Sequence, residues 1–185
     1  ATPRYNSTSN EPDTSIGKDK GDTPFSILLP YGNVEYLNST NLAYGDESVH
    51  DITVDNEGNI TLVGYDNTTG NLAWRIEKRR SDGTLLWSKV LDFSSGTDMA
   101  SGVITDSQNN VIVCGHDNVN GNEQWRVIKF DKDGNWLWNY TWNPSNNDDE
   151  ATVCGVDSND DILVGGWDNS PGDDQWVVKK LDSDG

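Results

Sequence analysis

Carboxylates are the most numerous chemistry-bearing side chains in this 185-residue chain, with 31 Asp and Glu against 13 Lys and Arg. Three stretches crowd them within a few residues: "DKDGN" at 131–135, "NNDDE" at 146–150 and "DSNDD" at 157–161. Calcium takes six to eight oxygens from a curved loop, so each stretch offers the beginning of a calcium site. "DKDGN" starts like an EF-hand loop, but no Glu stands at the twelfth position. Its Asp-Gly step returns at Asp82-Gly83 and Asp184-Gly185, which marks it as a hairpin turn. The carboxylates are therefore read first as turn formers with no cofactor, and calcium is the weaker alternative.

The remaining candidates are few. His50 and His116 have no metal-ligand spacing such as H-x-x-x-H, and the chain holds no G-x-S-x-G elbow, P-loop or dinucleotide fingerprint. Cys114 and Cys154 are too few for a disulfide framework or a zinc site. Two buried thiols and one disulfide are both open readings. Without a catalytic constellation, an enzyme is not expected. A formal net charge of −18 repels phosphate backbones, so nucleic acid is not an expected partner. No run of 18 apolar residues exists to span a membrane.

The opening "ATPRYNSTSNEPDTS" reads as a mature terminus after signal removal. Glycosylation sequons stand at Asn6, Asn38, Asn59, Asn67 and Asn139. Together they lead us to expect a secreted, extracellular or cell-surface protein, with glycans as candidate partners.

The elements that position these residues come from a repeat. "DNEGNITLVGYDNTTGNLAW" (55–74) returns without a gap as "DSQNNVIVCGHDNVNGNEQW" (106–125) and "DSNDDILVGGWDNSPGDDQW" (157–176). Nine columns are identical in all three copies: Asp55/Asp106/Asp157, Gly64/Gly115/Gly166, Asp66/Asp117/Asp168, Asn67/Asn118/Asn169, Gly70/Gly121/Gly172, Trp74/Trp125/Trp176, Lys78/Lys129/Lys180, Asp82/Asp133/Asp184 and Gly83/Gly134/Gly185. Runs rich in Val, Ile, Leu, Trp and Thr alternate with Asp/Asn/Gly turns. The predicted strands of each copy are A (51–55, 102–106, 153–157), B (59–65, 110–116, 161–167), C (74–78, 125–129, 176–180) and D (84–90, 135–141).

Each unit thus reads as a four-stranded antiparallel meander, the size and strand count of a propeller blade. A single such sheet cannot bury both faces, so units must stack face to face. Trp74, Trp125 and Trp176, with Trp87 and Trp138 on strand D, are the expected packing layer. His116 shares a column with Tyr65 and Trp167 and is expected to pack as an aromatic-sized residue. The repeated lysines are expected to pair with acidic groups on neighbouring units.

The pattern "VDxxGNIxVxGYD…G…WxVxKxDxDGxxLW" resembles SBBP-type and related bacterial and archaeal β-propeller repeats, over residues 24–185. The resemblance implies an all-β, β-propeller-type array and leaves function open, since such propellers bind, support or catalyse. "DNTTGNLAW" in the first copy also resembles the tryptophan-docking motif of quinoprotein propellers; the other copies depart from it.

One period before "SDGTLLWSKV" lies "PYGNVEYLNS" (30–39), with Gly32 under Gly83 and Tyr36 under Trp87. The expected organisation is a polar arm (1–22), a partial blade of strands C and D (23–43), and blades at 44–94, 95–145 and 146–185. The last lacks strand D. About three and a half blades leave an apolar face bare at each end. This leads us to expect self-association, head to tail, in a secreted non-enzymatic structural protein such as a fibre or surface-layer subunit. A carbohydrate-binding module, or a portion of a larger propeller enzyme, is the alternative.

Overall fold

The computed structural model describes residues 25–29, 32–37, 46–68 and 70–185. The chain divides into two compact units, Ala1–Thr40 and Asn41–Gly185. The described part of the first is an antiparallel pair, β1 (Phe25–Leu29) and β2 (Gly32–Leu37). These strands fall where the partial blade is expected. The polar arm, Asn6, Asn38 and the rest of that segment lie outside the described residues.

The second unit is built only of antiparallel strands, with no helix among the described residues. The first sheet runs in the order β3 (Glu47–Val54), β4 (Ile60–Asp66), β5 (Ala73–Arg79), β6 (Leu85–Leu91). The second runs β7 (Met99–Thr105), β8 (Val111–Asp117), β9 (Gln124–Phe130), β10 (Trp136–Trp142). The third has β11 (Asp149–Val156), β12 (Ile162–Asp168) and β13 (Gln175–Leu181). Neighbours in sequence are neighbours in the sheet, as short turns require of a meander.

The sheets stack through their faces. β7 lies against β3, β4 and β5, and β11 lies against β7, β8 and β9. One apolar layer joins Val63, Trp74 and Ile76 of the first sheet to Ala100, Val103, Val111, Val113, Ile128 and Phe130 of the second. The next joins Ile112, Cys114, Trp125 and Val127 of the second to Ala151, Ile162 and Val164 of the third. The second sheet is covered on both faces, and β8 is accordingly buried at all seven positions. Its sequence, VIVCGHD, is a nearly continuous apolar run, as a doubly covered strand demands.

The leading strand of each sheet starts earlier than expected, at Glu47, Met99 and Asp149. The reason is a bulge, repeated at His50, Ser101 and Thr152, where the register with the next strand slips by one residue. An extra residue breaks the two-residue alternation, so the sequence pattern is legible only beyond it. The bulge also explains a glycine column. A Cβ on Gly64, Gly115 or Gly166 would fall about 2 Å from the carbonyl oxygen of Ser48, Met99 or Glu150 on the bulged strand.

Candidate functional site

The identical columns do three kinds of structural work. The first is turn closure. Asp55 Oδ1 accepts the amides of Glu57 and Asn59 at 2.9 and 2.8 Å, and Asp106 and Asp157 repeat this. Asp66, Asp117 and Asp168 accept the amides of Thr68, Val119 and Ser170. Gly70, Gly121 and Gly172 complete that turn at φ of +99°, +85° and +95°, where a Cβ would be strained.

The second is charge pairing. Lys78 Nζ lies 2.9 Å from Asp55 Oδ2, Lys129 3.0 Å from Asp106 and Lys180 2.8 Å from Asp157. These pairs join a strand to a turn within one sheet and do not bridge sheets as the sequence suggested. The first two are buried and the third is exposed. An in-sheet pair meets a strand at a fixed height, so the Asp–Lys separation of 23 repeats with the sheet itself.

The third is the joint between sheets. Trp74 and Trp125 are fully buried. Each donates its indole N–H to a carbonyl of the following sheet: Trp74 Nε1 to His116 O at 2.8 Å and Trp125 Nε1 to Trp167 O at 2.9 Å. Half-buried Trp87 and Trp138 do the same at the rim, reaching Lys132 O at 3.1 Å and Ser183 O at 3.2 Å. Their rings lie on Gly134 and Gly185, where a Cβ would fall 2.9 and 2.8 Å from the indole. Gly83, Gly134 and Gly185 take φ of +85°, +86° and +89° in the turn itself, and the last two also leave room for these rings.

In the third sheet the same columns face outward. Trp176 is 98% exposed and Val178 72%, where Trp125 and Val127 are fully buried. Leu163 and Gly165 on β12, Val153 on β11 and the half-buried Trp167 share this face by register. The bare apolar face with its two indoles is the candidate functional site. A contiguous exposed apolar patch of this kind marks an interaction surface.

Carboxylates of the clusters accept backbone amides, from their own turn or from a neighbouring loop. Asp131 accepts the amides of Asp133 and Asn135, and Asp148 accepts that of Glu123 at 2.9 Å. No group of three or more His, Cys, Asp or Glu able to hold a metal occurs among the described residues. Asn59 Nδ2 donates to Asp55 Oδ2 at 3.0 Å, and Asn139 Oδ1 accepts Arg126 Nη1 at 3.1 Å. Asn67 stands half-buried at the turn after β4.

Two polar features escaped the sequence reading. His116 is buried between Glu123, 3.7 Å from Nε2, and Glu150, 3.5 Å from Nδ1. Burial opposes the imidazolium, but the facing carboxylates outweigh it and raise the pKa. Glu150 belongs to the next repeat, so no local motif announces the contact. The other is Asp149. Burial, with Asp168 opposite, pushes its carboxyl up to about 6. In the earlier sheets an arginine holds the second aspartate: Arg75 lies 2.7 Å from Asp66 and Arg126 2.5 Å from Asp117. Val177 takes that column in the third sheet.

No family model and no curated protein matches this chain. Among solved structures, a protein of unknown function from Bacteroides caccae superposes with a TM-score of 0.51 at 9% identity. The match covers 81% of this chain and 50% of that one, so this chain spans about half the length of its structural neighbour. The likeness is one of fold alone.

Proposed function

We propose that the chain is a β-propeller-type array of blades with a structural, non-enzymatic role, secreted or held at the cell surface. In this reading it self-associates head to tail, and the bare face of the third sheet takes the first sheet of a second copy. One observation carries the reading: Trp176 stands 98% exposed in a column whose other members are buried under a following sheet.

The covered interfaces define what fits there. Each indole faces the two leading strands of the next sheet and bonds the carbonyl before the repeated aspartate. The first sheet offers those columns once more. Val49, Ile52 and Val54 are exposed by 62%, 56% and 60%; Val49 and Ile52 stand where Ala100 and Val103 pack in the second sheet. The carbonyl of Tyr65 occupies the place of those of His116 and Trp167, so a docked copy would present it to Trp176 Nε1. A contact between two different faces makes rings or filaments, which suits a fibre or surface layer.

Sedimentation of the full chain across concentration tests this. The wild type should associate with rising concentration, and more so with added salt, because copies carrying −18 charges repel one another. Trp176→Asp should stay monomeric. A wild type that is monomeric at every concentration and salt level rejects the assembly. Trp167 and Trp176 are cross-strand partners, which favours a second reading, stacking on a sugar ring. Quenching of indole fluorescence by a glycan, without association, would select it.

A further inference from the structure

The two interfaces between sheets differ at one pair of facing positions. Across the first, Val63 on β4 and Val103 on β7 meet in one apolar layer. One period later the same two columns hold Cys114 on β8 and Cys154 on β11. Both are free thiols in the structure, Cys114 fully buried and Cys154 half-buried, and they pack in one apolar layer.

A third residue changes with them. Gly102 pairs with Cys114 in the sheet, in a column filled by Asp51 and Val153 in the other copies. A Cβ on Gly102 would lie 3.0 Å from Cys114 Sγ, 3.3 Å from Val153 Cα and 3.4 Å from Cys154 N. Any side chain there would fill the gap between the Cys114 thiol and the backbone of Cys154. The glycine keeps the space between the Cys114 thiol and the Cys154 backbone free of a side chain.

We propose that Cys114 and Cys154 form a disulfide that staples the second sheet to the third. The oxidant is a small disulfide such as oxidised glutathione. The more accessible Cys154 thiolate attacks one glutathione sulfur, and the first glutathione leaves as a thiolate. Cys114, deprotonated in turn, attacks the Cys154 sulfur of the mixed disulfide, and the second glutathione leaves. Two cysteine thiols lose two electrons, one oxidised glutathione becomes two reduced ones, and the two cysteine protons end on them. Contact with Cys154 and burial keep the Cys114 thiol protonated, so closure is slow in the folded chain and faster while it folds.

The test is to refold the full chain in a glutathione redox mixture and compare it with its reduced form. A loss of about 2 Da and a non-reducing peptide map joining Cys114 to Cys154 are expected. The bridge closes a loop of about 40 residues, so adding reductant should lower the Tm by roughly 10 °C. The double variant Cys114→Val, Cys154→Val rebuilds the valine pair of the first interface. It should fold and show no response to reductant. The proposal is overturned if both thiols of the refolded wild type still react with a maleimide after unfolding. It is equally overturned if the map shows only bridges between chains, or if wild type and double variant respond alike to reductant.

Discussion

Trp74, Trp125 and Trp176 place one residue type in one column under two conditions of cover, so truncating each to Ala separates the interface from the strand that carries it. A buried indole removes about 150–250 Å² from water, worth about 4–6 kcal/mol at 25 cal/mol per Å². Trp125→Ala also strips the carbonyl of Trp167 of its donor, which adds about 1 kcal/mol. Relaxation of the layer recovers part of this, and measured Trp→Ala losses run at about 3–5 kcal/mol. We expect about 4 kcal/mol for Trp74→Ala and for Trp125→Ala. Trp176→Ala, at 98% exposure, should stay within about 0.5 kcal/mol. The assay is urea unfolding at low micromolar protein, where association is absent. Hydrogen exchange refines it: among the described residues the third sheet packs against the second, so Trp125→Ala should expose β11 to β13 to exchange before β3 to β6. Equal losses at all three positions, or a loss above about 1 kcal/mol at Trp176, would refute the account of the column as an inter-sheet joint.

The charged columns give two further tests. Lys129→Met keeps the stem but leaves Asp106 buried without its cation, and should cost about 3–5 kcal/mol in urea unfolding; Lys180→Met, on an exposed pair, should cost little by the same measurement. Asp149 has its folded pKa raised from 3.8 to about 6, so the folded state holds the proton more tightly than the unfolded one. Its contribution is complete below about pH 4 and is lost as pH rises through about 6. After allowing for solvent screening, the loss is about 1 kcal/mol. Val177→Arg restores the cation that Asp66 and Asp117 possess, and should flatten that step in a series of unfolding curves from pH 4 to 7; an unchanged step would reject the assignment to Asp149.

The turns and the four-strand unit were legible because their causes are local. Asp55 and Asn59 sit within one turn, and the Asp-Gly steps fix hairpins without help from distant residues. Trp74 and Trp125 were legible as packing residues because stacked sheets need apolar bulk at a repeated position, whereas Trp176, expected in the same layer, is exposed. What stayed hidden depends on contacts between strands. The bulges at His50, Ser101 and Thr152 have no residue signature, since three different side chains occupy them. The repeated lysines were expected to pair across units because sequence spacing alone does not say which turn a strand-C lysine reaches. His116 was read by its column as an aromatic stand-in. Its position between Glu123 and Glu150 arises only once two sheets are stacked.

Columns that stay identical while their surroundings change separate structural demand from local use. Asp157 closes its turn in the third sheet as Asp55 does in the first, although its lysine pair is exposed there. Trp176 and Val178 differ, because the aromatic and aliphatic residues persist where water replaces the following sheet. A face adapted to water would carry polar residues at these positions, since an exposed indole gains nothing from the solvent. Other columns of the third sheet did change: Arg126 gives way to Val177, and Cys114 to Gly165. Gly165 removes bulk from the middle of the bare face, and Val153 on the adjacent strand stands over it, its methyl 3.1 Å from where a Cβ would be. The face thus remains apolar and is reshaped at its centre. These features fit the proposed docking of a second copy, whose first sheet would offer Val49 and Ile52 where the third sheet presents Ala151 and Cys154 to the second.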